Sequence, residues 1–279
     1  NVCITGSNAS LLSKELGTKL TGRHISKELY PFSYKEFLRF RSLTPCAESF
    51  MEYLRNGGFP EFVRTGNQDV LTALFDDILY RDIAVRYGIR DVVSLKALLL
   101  YLAANFGNLA SANKLAGMVG IKTGKTALEY LSYFEEAYFI SRMPKFSWSL
   151  KAQYVNPQKI YFIDTALSQA VTVSFTENTG HMLENVVYWE LRRRYRQLYY
   201  FSENNSECDF VVCEKNVPIQ LIQVCLELHR ENESREVGGL REAMRFFKMD
   251  RGILITLNQT DKIRTEEGWI DVIPMHQFV

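Results

Sequence analysis

The stretch HMLENVVYWELRRRYRQ, residues 181–197, decides the fold of the last third of the chain. Its apolar side chains Val186, Val187, Trp189 and Leu191 precede a basic end, a pattern that predicts a helix. Three β-type runs follow, and they predict successive strands: LYYFSE (198–203), ECDFVVCEK (207–215) and PIQLIQVCLEL (218–228). Later runs predict one more helix and two more strands: SREVGGLREAMRFFKM (234–249), RGILITLN (251–258) and WIDVIPMHQFV (269–279). We therefore predict an α/β domain over residues 173–279.

The middle of the chain has a different pattern, with three helical runs followed by two β-rich runs. The helical runs are VVSLKALLLYLAANFG (92–107), LASANKLAGMVG (109–120) and KTGKTALEYLSYFEEAYFI (122–140). The β-rich runs are YFISRMPKFS (138–147) and QKIYFIDTAL (158–167). Helix, short helix, turn, helix and two strands is the order of a winged helix-turn-helix. We therefore predict a winged helix over residues 91–172.

Gly124-Lys125-Thr126 resembles the end of a phosphate-binding P-loop, but its context differs. The motif needs a glycine five positions before Gly124, and Val119 stands there. A P-loop also follows a buried strand, whereas the preceding run is helical. We interpret the stretch as a turn into a helix capped by Thr123 or Thr126.

Composition sets broad limits on the class of protein. The 279 residues are enough for about two domains, and the net charge of +1 does not by itself require a nucleic acid or a membrane. No apolar run approaches the ~20 residues of a membrane span, and no leader is recognisable. Five cysteines without a framework spacing indicate reduced thiols and a cytoplasmic protein. Because the chain opens directly on the strand-like run NVCITGSNAS, we expect it to be the end of a larger protein.

Three segments together resemble one group of bacterial and archaeal AAA-type ATPases, in which the ATPase core precedes a C-terminal domain of uncharacterised function. Residues 4–38 (ITGSNASLLSKELGTKLTGRHISKELYPFSYKEFL) resemble the end of the ATPase core, and residues 130–167 resemble the winged helix of the C-terminal region. The third segment, LENVVYWELRRR (183–194) with ECDFVV (207–212) and IQVC (222–225), resembles a PD-(D/E)XK nuclease-like fold.

The resemblance implies a mixed α/β protein whose first part, residues 1–90, is a remnant of the ATPase core and its helical lid. It places Thr5, Ser7 and Arg23 on the nucleotide side of that core. The P-loop and the acidic strand that orients magnesium are absent from this sequence, so ATP hydrolysis by this chain alone is not expected. ATP and Mg²⁺ are expected for the complete parent protein, and no cofactor is expected for this fragment.

The nuclease-like resemblance also implies a site. In that fold a helix carboxylate, a strand aspartate and an acid-x-lysine on the next strand hold a divalent metal and position the attacked phosphate. Glu184 and Asp209 match the two acids and are the predicted metal ligands, while the third position reads Gln223-Val224-Cys225. Gln223 still offers an oxygen, but Cys225 cannot replace an ammonium. We expect a centre that does not cleave, unless a lysine from another element reaches it. A metal-dependent nuclease using Glu184 and Asp209 is the alternative.

Two basic groups are candidates for contact with nucleic acid. Lys122 and Lys125 lie at the start of the predicted recognition helix, and Arg192 and Arg193 lie in the LRRR run. Glutamates on the same recognition helix oppose phosphate binding, and winged helices also dock proteins. The partner is therefore expected to be DNA or a protein, with oligomerisation left open and no membrane partner. We interpret the chain as a regulatory or recognition region of an AAA-type ATPase.

Overall fold

The structure is a computed structural model that describes residues 25, 27–172, 178–204 and 206–278. Thr5, Ser7 and Arg23, which the resemblance places on the nucleotide side, lie outside the described residues. The described part is a mixture of helices and two sheets, so the predicted mixed α/β class is confirmed.

Short helices make up the first part of the described chain. They are α1 (Tyr34–Arg41), α2 (Ala47–Asn56), α3 (Pro60–Thr65) and α4 (Gln68–Asp76), followed by a π-helix (Asp77–Val85). Helix α1 begins at Ser33 because the hydroxyl of Ser33 accepts from the Glu36 backbone while the Glu36 carboxylate accepts from the Ser33 backbone. This reciprocal cap satisfies two N–H groups that a helix start otherwise leaves without partners.

The middle of the chain alternates helices with short strands. Its elements are α5 (Val92–Ala104), β1 (Leu109–Ala110), α6 (Ala112–Val119), α7 (Gly124–Glu136), β2 (Ile140–Met143), α8 (Leu150–Val155), β3 (Gln158–Phe162) and α9 (Thr165–Val171). The three strands form an antiparallel sheet in the order β1-β3-β2. Thr123 caps α7 by accepting from the Thr126 backbone at 3.1 Å, which confirms the interpretation of the GKT stretch as a helix start.

The last third builds a six-stranded sheet with helices packed against it. Its elements are α10 (Thr179–Arg194), β4 (Gln197–Glu203), β5 (Ser206–Glu214), β6 (Val217–Val224), α11 (Arg230–Phe247), β7 (Arg251–Thr256), β8 (Asp261–Arg264), β9 (Trp269–Pro274) and α12 (Met275–Phe278). The strand order is β4-β5-β6-β7-β9-β8, with β7 parallel to both β6 and β9 and the other pairs antiparallel. The predicted elements are all present, and β8 is an additional strand that the sequence analysis missed.

Helix α10 joins the middle sheet to the large one. The side chain of Asn185 bonds both the backbone N–H and the carbonyl of Phe162, each at 2.9 Å, and the indole of Trp189 donates to the same carbonyl at 2.6 Å. The rings of Tyr161 and Tyr188 stack with their centroids 4.0 Å apart. Strand β3 is therefore held along α10, and this contact brings β3 side chains next to β5 of the large sheet.

Among the described residues, no helix combines the length and the apolar character needed to cross a bilayer.

Candidate functional site at the junction of α10, β3 and β5

The two predicted acids meet at one cation. Glu184 lies in the first half of α10 and Asp209 lies near the start of β5. The ammonium nitrogen of Lys159 is 3.0 Å from Oε1 of Glu184 and 2.8 Å from Oδ1 of Asp209. The structure therefore brings the two predicted carboxylates together, and Lys159, which joins them, was not among the predicted site residues.

Lys159 reaches the centre from β3, in the middle part of the chain. Its neighbours across the sheet are Leu109 on β1 and Met143 on β2, so its backbone lies in the middle strand. Its side chain is only 3% exposed, and Glu207 on β5 provides a third carboxylate at 2.7 Å. An ammonium has three N–H donors. Here three carboxylates surround it, and two of them, those of Glu184 and Asp209, accept hydrogen bonds from it.

Strand geometry explains why Tyr161 joins the same centre. Side chains two positions apart on a strand point to the same face, so Tyr161 lies beside Lys159. The Tyr161 hydroxyl donates to Oε1 of Glu184 at 2.8 Å. That one oxygen therefore accepts both from the tyrosine and from the ammonium.

Asp209 and Gln223 are fixed by bonds to the neighbouring backbone. Regular pairing of β5 with β6 runs as far as Phe210 opposite Ile222. Beyond it, Oδ2 of Asp209 accepts from the Val224 N–H at 2.9 Å, and the Gln223 amide oxygen accepts from the Asp209 N–H at 3.2 Å. Side chains thus replace ladder bonds at this end of the strand pair and hold both residues in place.

A second ionic contact lies beyond Gln223. The side-chain amide nitrogen of Gln223 donates to Oε2 of Glu236 on α11 at 2.8 Å. The other oxygen of Glu236 accepts from the guanidinium of Arg235, whose side chain is largely exposed. Gln223 therefore connects the buried centre to the surface of α11.

Burial and charge shift the ionisation of the cluster. Burial opposes the charged form of Lys159, but the carboxylates of Asp209 and Glu184 outweigh it and hold the pKa of Lys159 well above its ordinary value. Burial raises the pKa of Glu184 to about 7, against the lowering effect of Lys159. Three carboxylates share one ammonium, so neutralising one acid relieves their repulsion. Lys159 therefore stays charged in this site.

The arrangement does not fit a divalent ion. Mg²⁺ needs oxygens free to approach within about 2.0–2.1 Å, whereas the oxygens of Glu184, Asp209 and Gln223 that face the centre already accept from donors of the chain. Over the described ranges, no group of three His, Cys, Asp or Glu side chains is suited to a metal ion. The predicted metal ligands are therefore brought together, but around an ammonium.

A cleft of about 710 Å³ opens onto this centre. Its walls include five acids, which are Glu184, Glu207, Asp209, Glu227 and Glu236. The basic groups on the same walls are Arg235 and the imidazoles of His181 and His229. The acids outnumber the cations, so the cleft as it stands repels a phosphate backbone.

The predicted nucleic-acid residues fall into two different environments. Lys122 and Lys125 are exposed at the N-terminal end of α7, and within the described residues neither takes part in a hydrogen bond or ion pair. Arg193 instead donates to the Pro31 carbonyl at 2.6 Å and lies over the ring of Tyr30. Arg192 lies 3.9 Å from Glu28. The two arginines hold the segment before α1, and their contact with nucleic acid stays a prediction.

The expectation that the centre holds no ammonium is wrong, because Lys159 supplies one from another element. A usable signal was present in the run QKIYFIDTAL, where a lysine stands inside an otherwise apolar strand. A lysine is almost never fully buried unless it is paired. A lysine at position 159 therefore predicts an acidic partner, although the sequence does not identify which acids.

Comparison with known protein families divides the chain into three parts. Residues 1–38 match a family described as an AAA domain. Residues 47–178 match a domain of unknown function, DUF8612, and residues 179–278 match another, DUF4143. The order is that of the C-terminal part of an AAA-type protein, as the resemblance implied.

Two curated relatives extend this result. An uncharacterized protein of Methanocaldococcus jannaschii is 32% identical over 100% of this chain and 68% of its own length. An uncharacterized protein of Haemophilus influenzae is 31% identical over 82% of this chain and 60% of its own length. The chain belongs to the same family as the M. jannaschii protein. No solved structure matches the chain significantly.

Proposed function

We propose that this chain is the recognition region of an AAA-type ATPase and that it binds DNA through a winged helix formed by residues 91–172. ATP and Mg²⁺ belong to the complete parent protein, whose nucleotide state this region would couple to the bound DNA. Two features support the winged helix. The order is helix, strand, helix, helix, strand, short helix and strand, and the sheet with strand order β1-β3-β2 is antiparallel.

The observation that carries the DNA proposal is the set of lysines around the start of α7. Lys122 and Lys125 flank the first turn of α7, and Lys114 is exposed on α6 beside it. A helix N-terminus carries a partial positive charge and offers unpaired N–H groups, so phosphate binding is favoured there. The exposed Glu129 lies one turn further along α7 and opposes it. This balance fits backbone contacts better than the reading of base edges.

Removing the two lysines tests the proposal. We expect the wild-type chain to bind a short fluorescein-labelled duplex in low salt, and the affinity to fall as salt rises, because bound lysines release counterions. Lys122→Ala combined with Lys125→Ala should weaken binding about tenfold or more and should reduce the salt slope by about two. Fluorescence anisotropy across a sodium chloride series gives both quantities.

A variant with the same change in net charge provides the control. Lys35→Ala combined with Lys262→Ala removes two exposed lysines on α1 and β8 and should leave the affinity and the slope close to wild type. If the wild type does not bind at low salt, the partner is a protein instead of DNA. Equal weakening in both double variants would show that net charge, and not the face of α7, is responsible.

A metal-dependent nuclease is the second candidate, and Lys159 is the observation that favours it. The centre contains a helix carboxylate, a strand aspartate and an ammonium, as the fold analogy requires, with the amide of Gln223 in place of the third acid and the lysine on a different strand. Against it, Lys159 is buried and its donors are all directed at carboxylates. The acidic cleft also disfavours entry of a phosphate.

A plasmid-cleavage assay tests whether the chain is a metal-dependent nuclease. We expect supercoiled plasmid incubated with Mg²⁺ or Mn²⁺ to be nicked no faster by wild type than by Asp209→Ala, since the Lys159 ammonium already lies between the two acids. Glu184→Gln provides a second comparison with a smaller change of shape. Nicking that wild type performs and that both variants lose would establish the nuclease.

A further inference from the structure

We propose that the Lys159 ammonium is the resident cation of the centre formed by Glu184, Asp209 and Glu207, and that it excludes divalent metal ions from that centre. The inference goes beyond DNA recognition, because it concerns metal binding at the acidic centre and holds whichever partner the region binds. It assigns to Lys159 the charge-neutralising role that the fold analogy gives to a metal.

The ammonium forms hydrogen bonds with the carboxylates of Glu184 and Asp209 and an ion pair with that of Glu207. Lys159 Nζ lies 2.7 Å from Glu207, 2.8 Å from Asp209 and 3.0 Å from Glu184. Charge-assisted N–H···O bonds have lengths of about 2.7–2.9 Å. The three carboxylates come from two elements, α10 and β5, and converge on one atom. A cation placed between them is what keeps like charges together in a buried site.

The lysine is held in this position by its strand. Lys159 pairs with Leu109 on one side and Met143 on the other, and the Ile160 carbonyl accepts from the Gly107 N–H at 2.7 Å. Withdrawal of the ammonium would therefore need either a different side-chain rotamer in a packed site or a shift of β3. An incoming divalent ion would also meet the positive charge at close range. Both effects oppose metal binding in the wild-type protein.

The remaining oxygens of Asp209 and Gln223 do not offer an alternative site. Oδ2 of Asp209 accepts from the Val224 N–H, and the amide oxygen of Gln223 accepts from the Asp209 N–H. A metal bound through these atoms would have to break backbone bonds at the end of β5. Such bonds are costly to leave unmade in a buried place.

Lys159→Met tests the proposal because methionine has a similar length and no charge. We expect titration calorimetry with MnCl₂ to give no saturable heat for the wild-type chain. Lys159→Met should bind one Mn²⁺ at least about tenfold more tightly than wild type, because the competing cation is removed while the carboxylates remain. Mn²⁺ should also raise the melting temperature of Lys159→Met and not that of the wild type. Adding Asp209→Asn to Lys159→Met should abolish the gain.

Saturable Mn²⁺ binding by the wild type at this centre, lost in Asp209→Asn, would overturn the proposal, and this arm does not depend on any lysine variant folding. A folded Lys159→Met chain that binds no Mn²⁺ would overturn it as well. If Lys159→Met is unfolded without metal, recovery of native circular dichroism on refolding with Mn²⁺ supports the proposal, and failure to recover counts against it.

Discussion

Replacing Lys159 with methionine is expected to lower the free energy of unfolding by about 3–5 kcal/mol, because three carboxylates then lose their common cation. Asp209 is buried and the Glu184 side chain is only 12% exposed, so water compensates for the loss only in part. Some of the cost is relieved by protonation of Glu184, whose pKa is already raised to about 7. Urea unfolding followed by circular dichroism measures the change without adding salt that would screen the charges.

The matched control is Lys151→Met, which removes the same side chain from an exposed position on α8. Its effect should stay within about 0.5 kcal/mol, as is usual for surface substitutions. A loss of less than about 1 kcal/mol for Lys159→Met would mean that the contacts of the ammonium are as weak as those of a surface ion pair.

The second large effect on stability is expected from substitution of one of two adjacent glycines in α11. A Cβ atom added at Gly239 would lie 1.9 Å from the backbone oxygen of Glu207, whereas one added at Gly238 meets nothing within 4 Å. Helix α11 therefore lies directly against the start of β5, next to the acids of the centre. Gly239→Ala should destabilise the protein by about 3 kcal/mol, at the upper end of overpacking costs, since a backbone oxygen cannot rotate away.

Gly238→Ala, in contrast, is expected to stabilise the protein. Alanine is favoured over glycine by about 0.8–1.0 kcal/mol in a helix interior, and at Gly238 nothing opposes that gain. Thermal and urea unfolding of the two single variants measure both effects in one helix. If the two variants shift stability in the same direction, then α11 does not approach β5 as described.

Much of the fold was predictable because its signals are local. The apolar spacing in α10 and the β-type runs that follow it are set by residues close in sequence. The turn between β5 and β6 is local as well, since Lys215 and Asn216 have positive φ angles of 50° and 65°, as a two-residue hairpin turn requires. Strand β8 was missed because it is four residues long, and three of those four are charged.

The site was only half predictable, for a physical reason. Glu184 and Asp209 follow from motif positions within one domain, so spacing along the chain was informative. Lys159 comes from another sheet, and its arrival depends on how β3 packs along α10 through Asn185 and Trp189. Such packing leaves no fixed spacing in the sequence. Only the buried charge in an apolar strand indicated that a partner was required.

A double-mutant cycle tests the central claim, that the Lys159 ammonium joins the two acids of the centre, most directly. The free energy of unfolding is measured for wild type, Lys159→Met, Asp209→Asn and the double variant, and the coupling energy is the departure from additivity. The account predicts a favourable coupling of at least about 2 kcal/mol, as found for close, desolvated charge pairs. Additive effects of the two substitutions would contradict it.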